Sequence, residues 1–234
     1  MPERFIHNVI PVGLLQCNCS ILGDAETREA IVVDPGDEVD FILEVLRRDH
    51  LKVLAIVSTH THIDHVGGLA KLHRATGAPV LIHKDDLHLY TTLETQAQWI
   101  GVPTPETARI DAFVKEGDTL RWGGFAAHVL HTPGHTQGSI SLVVEPGAAA
   151  PATPHAHQGA HAQEPAPIVP RVLAGDTLFQ GSIGRTDLPG GSHPQILRSI
   201  HEKLLVLPDE VLVIPGHGDP TTIGDEREHN PFLR

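Results

Sequence analysis

Cysteine is almost missing from this chain: Cys17 and Cys19 are the only two. Residues in C-x-C spacing on one strand seldom close into a disulfide, and one such pair makes no disulfide framework. Both read as reduced, structural residues. Basic residues are also scarce, 17 against 29 acidic, for a net charge of −12. That balance argues against the basic face a nucleic-acid binder needs to neutralise phosphates. No apolar run approaches the roughly 18 to 20 residues that span a bilayer, so no membrane association is expected. The opening "MPERFIHNVIPVGLLQ" has no basic segment followed by a sustained apolar stretch, so no signal peptide is expected. A cytoplasmic location follows from these absences.

The 234 residues suit one α/β domain, and the 40% hydrophobic and 20% charged fractions are those of an ordinary soluble protein. In the first half, strand and helix signals alternate. "RFIHNVI", "SILGD" and "EAIVVDPGD" read as strands, and residues 38–49 as a helix with Val39, Ile42, Leu43 and Leu46 at helical spacing. Residues 52–59 form another buried strand, 66–77 a helix ending at Gly77, and "APVLIH" a further strand. Residues 84–108 read as helical, stopped by Pro103 and Pro105. After residue 110 strands crowd together: "RIDAFV", "DTLRW", "FAAHVLHT", "GSISLVVE" and "PRVLAGD". A helix at 193–207 and a last strand, "EVLVIPGH", complete the pattern. Two groups of strands, each with its helices, predict a four-layer αβ/βα sandwich of two mixed sheets. Residues 146–169, rich in Ala, Pro and His, interrupt it as an expected flexible surface insertion. His155, His157 and His161 within it could serve an accessory metal site or a lid.

What the chain has in plenty is histidine, 18 in all. "VSTHTHIDHVGG" (57–68) sets His60, His62, Asp64 and His65 at the end of an apolar strand. These nitrogen and oxygen donors suit zinc or iron, without the softness of thiolate ligands. Three more strands each deliver one candidate ligand into a glycine-containing turn: His135 in "HTPGHTQGSI", Asp176 in "LAGDTLF" and His217 in "IPGHGD". Gly134, Gly175 and Gly216 immediately precede them, which lets the backbone bend tightly. Seven donors at strand ends are expected to gather on one rim. His7, His50, His73, His83, His88, His128, His131, His193, His201 and His229 lie outside this pattern and read as structural. Tyr90 and Trp99, in the 84–108 region, read as core or cleft-wall packing.

The motifs "VDPGD", "THTHIDHVGG", "HTPGHTQGSI", "AGDTLF" and "PGHGD", in this order over nearly the whole chain, resemble the metallo-β-lactamase fold superfamily. "GSIGRTDLPGG" and the ending "IPGHGDPTTIGDEREHNPF" are similar to its short glyoxalase-II-like branch. The resemblance implies two divalent ions, zinc before iron or manganese. His60, His62 and His135 would hold one, Asp64, His65 and His217 the other, and Asp176 would bridge them. It further implies hydrolysis of a small-molecule thioester such as S-lactoylglutathione by hydroxide generated between the metals. Asp64 would orient that nucleophile or take its proton. Arg185 falls where such enzymes carry a basic residue for glutathione; it would either grip a carboxylate or pair with Asp187. The chain ends soon after His217, without the helical domain that supplies glutathione contacts in longer relatives, so a different thioester is open. The alternative on the same fold is a persulfide dioxygenase, a sulfur oxidoreductase with one iron on His60, His135 and Asp176. Another hydrolase of the fold, or a metal-stabilised binding protein without catalysis, comes after both.

Overall fold

A computed structural model describes residues 4–145 and 169–234. Nearly all of the Ala/Pro/His-rich segment, with His155, His157 and His161, lies outside them. The first sheet takes up β1 (Phe5–Val12), β2 (Cys17–Asp24), β3 (Glu29–Val33), β4 (Lys52–Val57), β5 (Val80–His83) and β6 (Ala112–Val114), side by side in chain order. β1 to β3 pair antiparallel, and β3 to β6 run parallel. Parallel neighbours need crossovers. Helix α1 (Val39–Arg48) crosses from β3 to β4, α2 (Ile63–Val66) and α3 (Leu69–Thr76) lead to β5, and α4 (Leu87–Tyr90) and α5 (Leu93–Ile100) lead to β6.

The second sheet begins with β7 (Thr119–Trp122), β8 (Phe125–His131), β9 (Ile140–Glu145) and β10 (Arg171–Gly175). A two-stranded ribbon, β11 (Leu178–Phe179) and β12 (Ser182–Ile183), and helix α6 (His193–Ser199) follow. Then come β13 (Leu212–Pro215), β14 (Thr221–Thr222) and α7 (Ile223–His229). The sheet order is β14-β13-β10-β9-β8-β7.

Side chains alternate between the faces of a strand, and here the alternation sorts them into three apolar layers. Ile21, Val32 and Ile56 point toward α1 and α3, while their neighbours Leu22, Val33 and Val57 point at the other sheet. Opposite them, Leu173 and Ile214 face inward, and Val172 and Val213 pack on Ile196 and Ile200 of the helical layer. The expected four-layer sandwich is what forms. Each fully buried Leu or Ile contributes about 1.5–3 kcal/mol, so the middle layer locks the sheets in register and fixes their loop-bearing ends relative to one another.

Several boundaries differ from the sequence expectation, for local reasons. The helix expected over 66–77 starts later, as α3, and Gly67 and Gly68 part it from the separate short helix α2, which ends at Val66. Gly68 N–H donates to Pro35 O, and a side chain at either glycine would strike the carbonyls of Pro35 and Gly36. In 84–108, a 3-10 turn (Lys84–Asp86) precedes α4, and α5 stops at Gly101, in the left-handed region at φ 72°, before either proline is reached. The helix expected over 193–207 is α6 followed by a π turn, Ile200–Leu204. β14 and α7 lie where no element was expected. Thr222 caps α7 by accepting from Asp225 N–H at 3.1 Å. Among the described residues no helix is long and apolar enough to cross a membrane.

Candidate metal centre

The seven donors read from the sequence do gather at one rim of the sandwich. His60 and His62 follow β4, and Asp64 and His65 lie in α2; His135 follows β8, Asp176 follows β10 and His217 follows β13. Gly134 (φ 142°) and Gly175 (φ 50°) adopt the left-handed backbone that glycine permits. Gly216 is there for a different reason than bending. A Cβ on it would land on Asp176 Oδ1 and 2.8 Å from His65 Cε1.

Two groups of three form around one shared carboxylate. His60, His62 and His135 bring donor atoms within 4.8 Å of one another, as do Asp64, His65 and His217. His62 Nδ1 lies 2.8 Å from His135 Nε2. His65 Nε2 lies 3.2 Å from His217 Nε2, which is 3.1 Å from Asp64 Oδ2. Asp176 faces both groups: Oδ1 is 3.4 Å from His65 Nε2, and Oδ2 is 3.5 Å from His135 Nε2 and 3.7 Å from His217 Nε2. Donors held about 2.1 Å from one tetrahedral ion sit about 3.4 Å apart, so the spacing fits.

Outer partners aim the rings. His135 donates Nδ1–H to Arg185 O at 2.8 Å, and His217 donates Nδ1–H to Leu15 O at 2.9 Å, which leaves both Nε2 lone pairs facing the centre. Thr59 Oγ1 donates to Asp34 Oδ2 at 2.7 Å and accepts from His60 Nδ1 at 3.2 Å. His60 Nε2 and Asp176 Oδ1 are then buried without any hydrogen-bond partner. Leaving such atoms unmet costs about 1–3 kcal/mol each. Cations held by the two groups would remove that cost, and the donor set is one that zinc, iron or manganese accepts.

The electrostatics divide the imidazoles. Burial, helped by the other imidazoles, holds His60 well below the usual range, and burial with His135 beside it pushes His62 down to about 3. Burial also opposes charge on His65. There the Cys17 sulfur and the carboxylates of Asp176, Asp64 and Asp34 outweigh it and raise the imidazole well above its ordinary value. Asp176 and Asp64 are likewise penalised by burial, yet His65 and His217 keep both carboxyls below the usual range.

Three supporting residues were given no role in the sequence reading, although the first lies in one of its motifs. Asp34, in "VDPGD", lies 3.1 Å from His65 Nδ1 and accepts from Thr59 N–H at 2.7 Å. Asp86 is buried between the two ligand loops. It accepts from Thr61 N–H (3.0 Å), Thr136 Oγ1 (2.8 Å) and Gly138 N–H (2.6 Å), and burial raises its carboxyl. Gln96, on α5, accepts from Ile63 N–H at 2.9 Å. Thr61 stands between His60 and His62, and Thr136 follows His135, so Asp86 fastens one ligand loop to the other.

Arg185 does not reach toward the centre as a free cation. Its guanidinium holds Asp187 through two bonds of 2.8 Å, with 61% of the side chain exposed. Tyr90 packs in the core, its hydroxyl accepting from Ala108 N–H at 2.8 Å. Trp99 does not pack as expected; it is 56% exposed. Both cysteines are free and buried, and Cys17 Sγ lies 3.4 Å from His65 Nδ1. At the edge nearest His217, Leu14 and Leu15 of the β1–β2 turn are exposed.

Comparison with known proteins agrees with this architecture. The sequence profile of the metallo-beta-lactamase superfamily matches residues 12–148 and 143–217. The hydroxyacylglutathione hydrolase GloC of Haemophilus influenzae is 36% identical over 232 residues, 96% of each chain. The BLEG-1 B3 metallo-beta-lactamase structure superposes with a TM-score of 0.80 at 34% identity, covering 97% of this chain and 99% of that one. TTHA1623, solved in a di-iron-bound form, gives 0.75 at 36% identity over 97% and 100%. With its profile spanning most of the sequence and the four-layer fold in place, this chain belongs to the metallo-beta-lactamase superfamily.

Proposed function

We infer that the protein is a binuclear metallo-hydrolase of the glyoxalase II type, acting on a small-molecule thioester. The observation that carries this reading is the single carboxylate, Asp176, facing two complete three-donor groups. His60, His62 and His135 would hold one ion, Asp64, His65 and His217 the other, with Asp176 between them. Two ions bound so would lower the pKa of water toward neutrality and polarise a carbonyl. Zinc is the first expectation, and iron or manganese fits the same donors.

The chain's own residues supply the rest. Asp64, kept ionised by its imidazole neighbours and partly exposed, can orient the attacking water and hold its proton. Its basicity is reduced by those same neighbours, so orientation is its larger part. A thiolate departs readily, so no general acid is required at the leaving group. Two dications outweigh the carboxylates of Asp64 and Asp176, and the surplus positive charge suits an anionic substrate and a developing oxyanion. Because Arg185 is already paired with Asp187, binding a substrate carboxylate there would require exchanging that partner. The dioxygenase alternative would use His60, His135 and Asp176 alone. Convergence of Asp64, His65 and His217 on the same carboxylate favours two ions.

Thiol release from a panel of thioesters, S-lactoylglutathione first, on protein of measured metal content tests the reading. Turnover is expected with two equivalents of metal, and Asp176→Ala should lose both metal and turnover. Wild-type metal content and rate in Asp176→Ala would overturn it. So would one iron per chain together with oxygen uptake on glutathione persulfide.

A further inference from the structure

A second group of imidazoles meets where β5 and β8 end. His83 closes β5 and His131 closes β8, and their rings stack 4.1 Å apart at 15°. Asp85, in the turn after β5, brings its carboxylate to the same place. One donor atom from each of these three residues lies within 4.8 Å of the other two. The first sheet, the second sheet and a turn contribute one residue each, and none belongs to the centre described above.

The hydrogen bonding favours ligation over mere stacking. His131 shares Nε2–H with Gln137 O at 2.8 Å, leaving Nδ1 with an uncommitted lone pair. A backbone carbonyl likewise fixes the tautomer of His135 and of His217. His83 Nδ1 holds one long bond, from Asp85 N–H at 3.3 Å, with Asp85 Oδ2 3.8 Å away. Burial, followed by the adjacent His131 ring, holds His83 below the usual imidazole range, so at neutral pH its lone pair on Nδ1 is held only by that long bond, which a bound ion would displace. Asp85 is 56% exposed at its side chain and opens the group to solvent.

We propose that His83, Asp85 and His131 form an accessory binding site for a borderline divalent cation such as zinc. Two nitrogens and one carboxylate oxygen suit zinc and its first-row neighbours, whereas magnesium and calcium take oxygen donors. Three protein ligands leave a position for water. Parallel rings do not aim both lone pairs at one point, so binding turns His131, the less buried ring, and exchanges the stack for coordination. The bound ion cross-links the ends of β5 and β8. Asp86 directly follows Asp85, and His131 lies four residues before His135, so the cross-link braces the frame that carries the first ligand group.

The test is equilibrium dialysis of tag-free, metal-loaded protein against micromolar free zinc, with bound zinc counted by mass spectrometry. It is read as the difference between wild type and variants, so zinc held elsewhere cancels. Wild type should bind one equivalent more than His131→Ala. The exposed Asp85→Ala, which removes no buried group, should bind that equivalent about tenfold more weakly or worse. Equal zinc in wild type and both variants overturns the proposal, whatever the occupancy of the main centre and whatever the substrate.

Discussion

Asp34 Oδ2 stands 3.1 Å from Nδ1 of His65, on the side of the ring away from the other donors. Asp34 is itself held by Thr59, through both its N–H and its hydroxyl. A carboxylate behind a ligand imidazole fixes the ring and raises its basicity. Asp34→Asn keeps the shape and removes the charge. Metal affinity should fall about 10–100-fold, with little change in the far-UV circular dichroism of the metal-free protein. Competition with a chromophoric chelator measures it; unchanged affinity would show that the His65 ring is set without the Asp34 charge.

Asp86 does for the loops what Asp34 does for a ring. Its carboxylate satisfies two backbone donors and one hydroxyl in a place where water cannot replace it. Asp86→Ala strands the two backbone donors, at about 1–3 kcal/mol each, while Thr136 keeps Ser139 as a partner, so urea denaturation of the metal-free protein should register a loss of about 2 kcal/mol or more. Metal uptake by the survivors should weaken as well, because His60, His62 and His135 lose their common anchor. A loss under about 1 kcal/mol would mean the loops are held by their own strands.

The gathering of seven donors was legible because each is announced locally. His60, His62, Asp64 and His65 stand within six positions, and His135, Asp176 and His217 each follow an apolar strand and a glycine. Asp86 has no such announcement. Its partners lie 25 residues before and 50 after it, and a lone aspartate in "HKDDLH" looks like any solvated turn residue. The strand alternation that sorted Ile21 from Leu22 is a short-range pattern and gave the layers. The break in the helix expected over 66–77 was hidden for the opposite reason. It lies where Gly68 N–H donates to Pro35 O, a partner distant in the sequence. Trp99 illustrates a third limit: its size predicts burial, but on α5 it lies on the solvent side.

Far from the metal centre, Asp24 ties the start of β1 to the turn between β7 and β8. Its buried carboxylate takes Arg4, Glu26 N–H and Gly124 N–H. Burial opposes its charge, but these bonds bring it from 3.8 down to about 2. A depressed folded pKa means the stabilisation is full above the unfolded value and is lost as pH falls through the folded one. The contribution is about 1–2 kcal/mol, allowing for screening at the partly exposed Arg4. Acid titration of stability should therefore show wild type losing that much more than Asp24→Asn between about pH 5 and pH 2. Parallel curves would place the acid sensitivity elsewhere.

Gly216 gives the sharpest separation of site from scaffold. Its φ is not in the left-handed region, so alanine meets no backbone penalty there; the obstacle is Asp176 Oδ1 and the His65 ring where a Cβ would go. Gly216→Ala should thus push aside the carboxylate that both ligand groups share. Metal content is expected to drop below one equivalent and turnover with it. Gly218→Ala, two residues on, has open space at its Cβ but sits at φ 75°. It should cost about 1 kcal/mol in backbone strain and leave metal content intact. Elemental analysis and thermal melts of the two variants side by side decide the matter. Metal retained in Gly216→Ala would mean that Asp176 has room to move without releasing either ion.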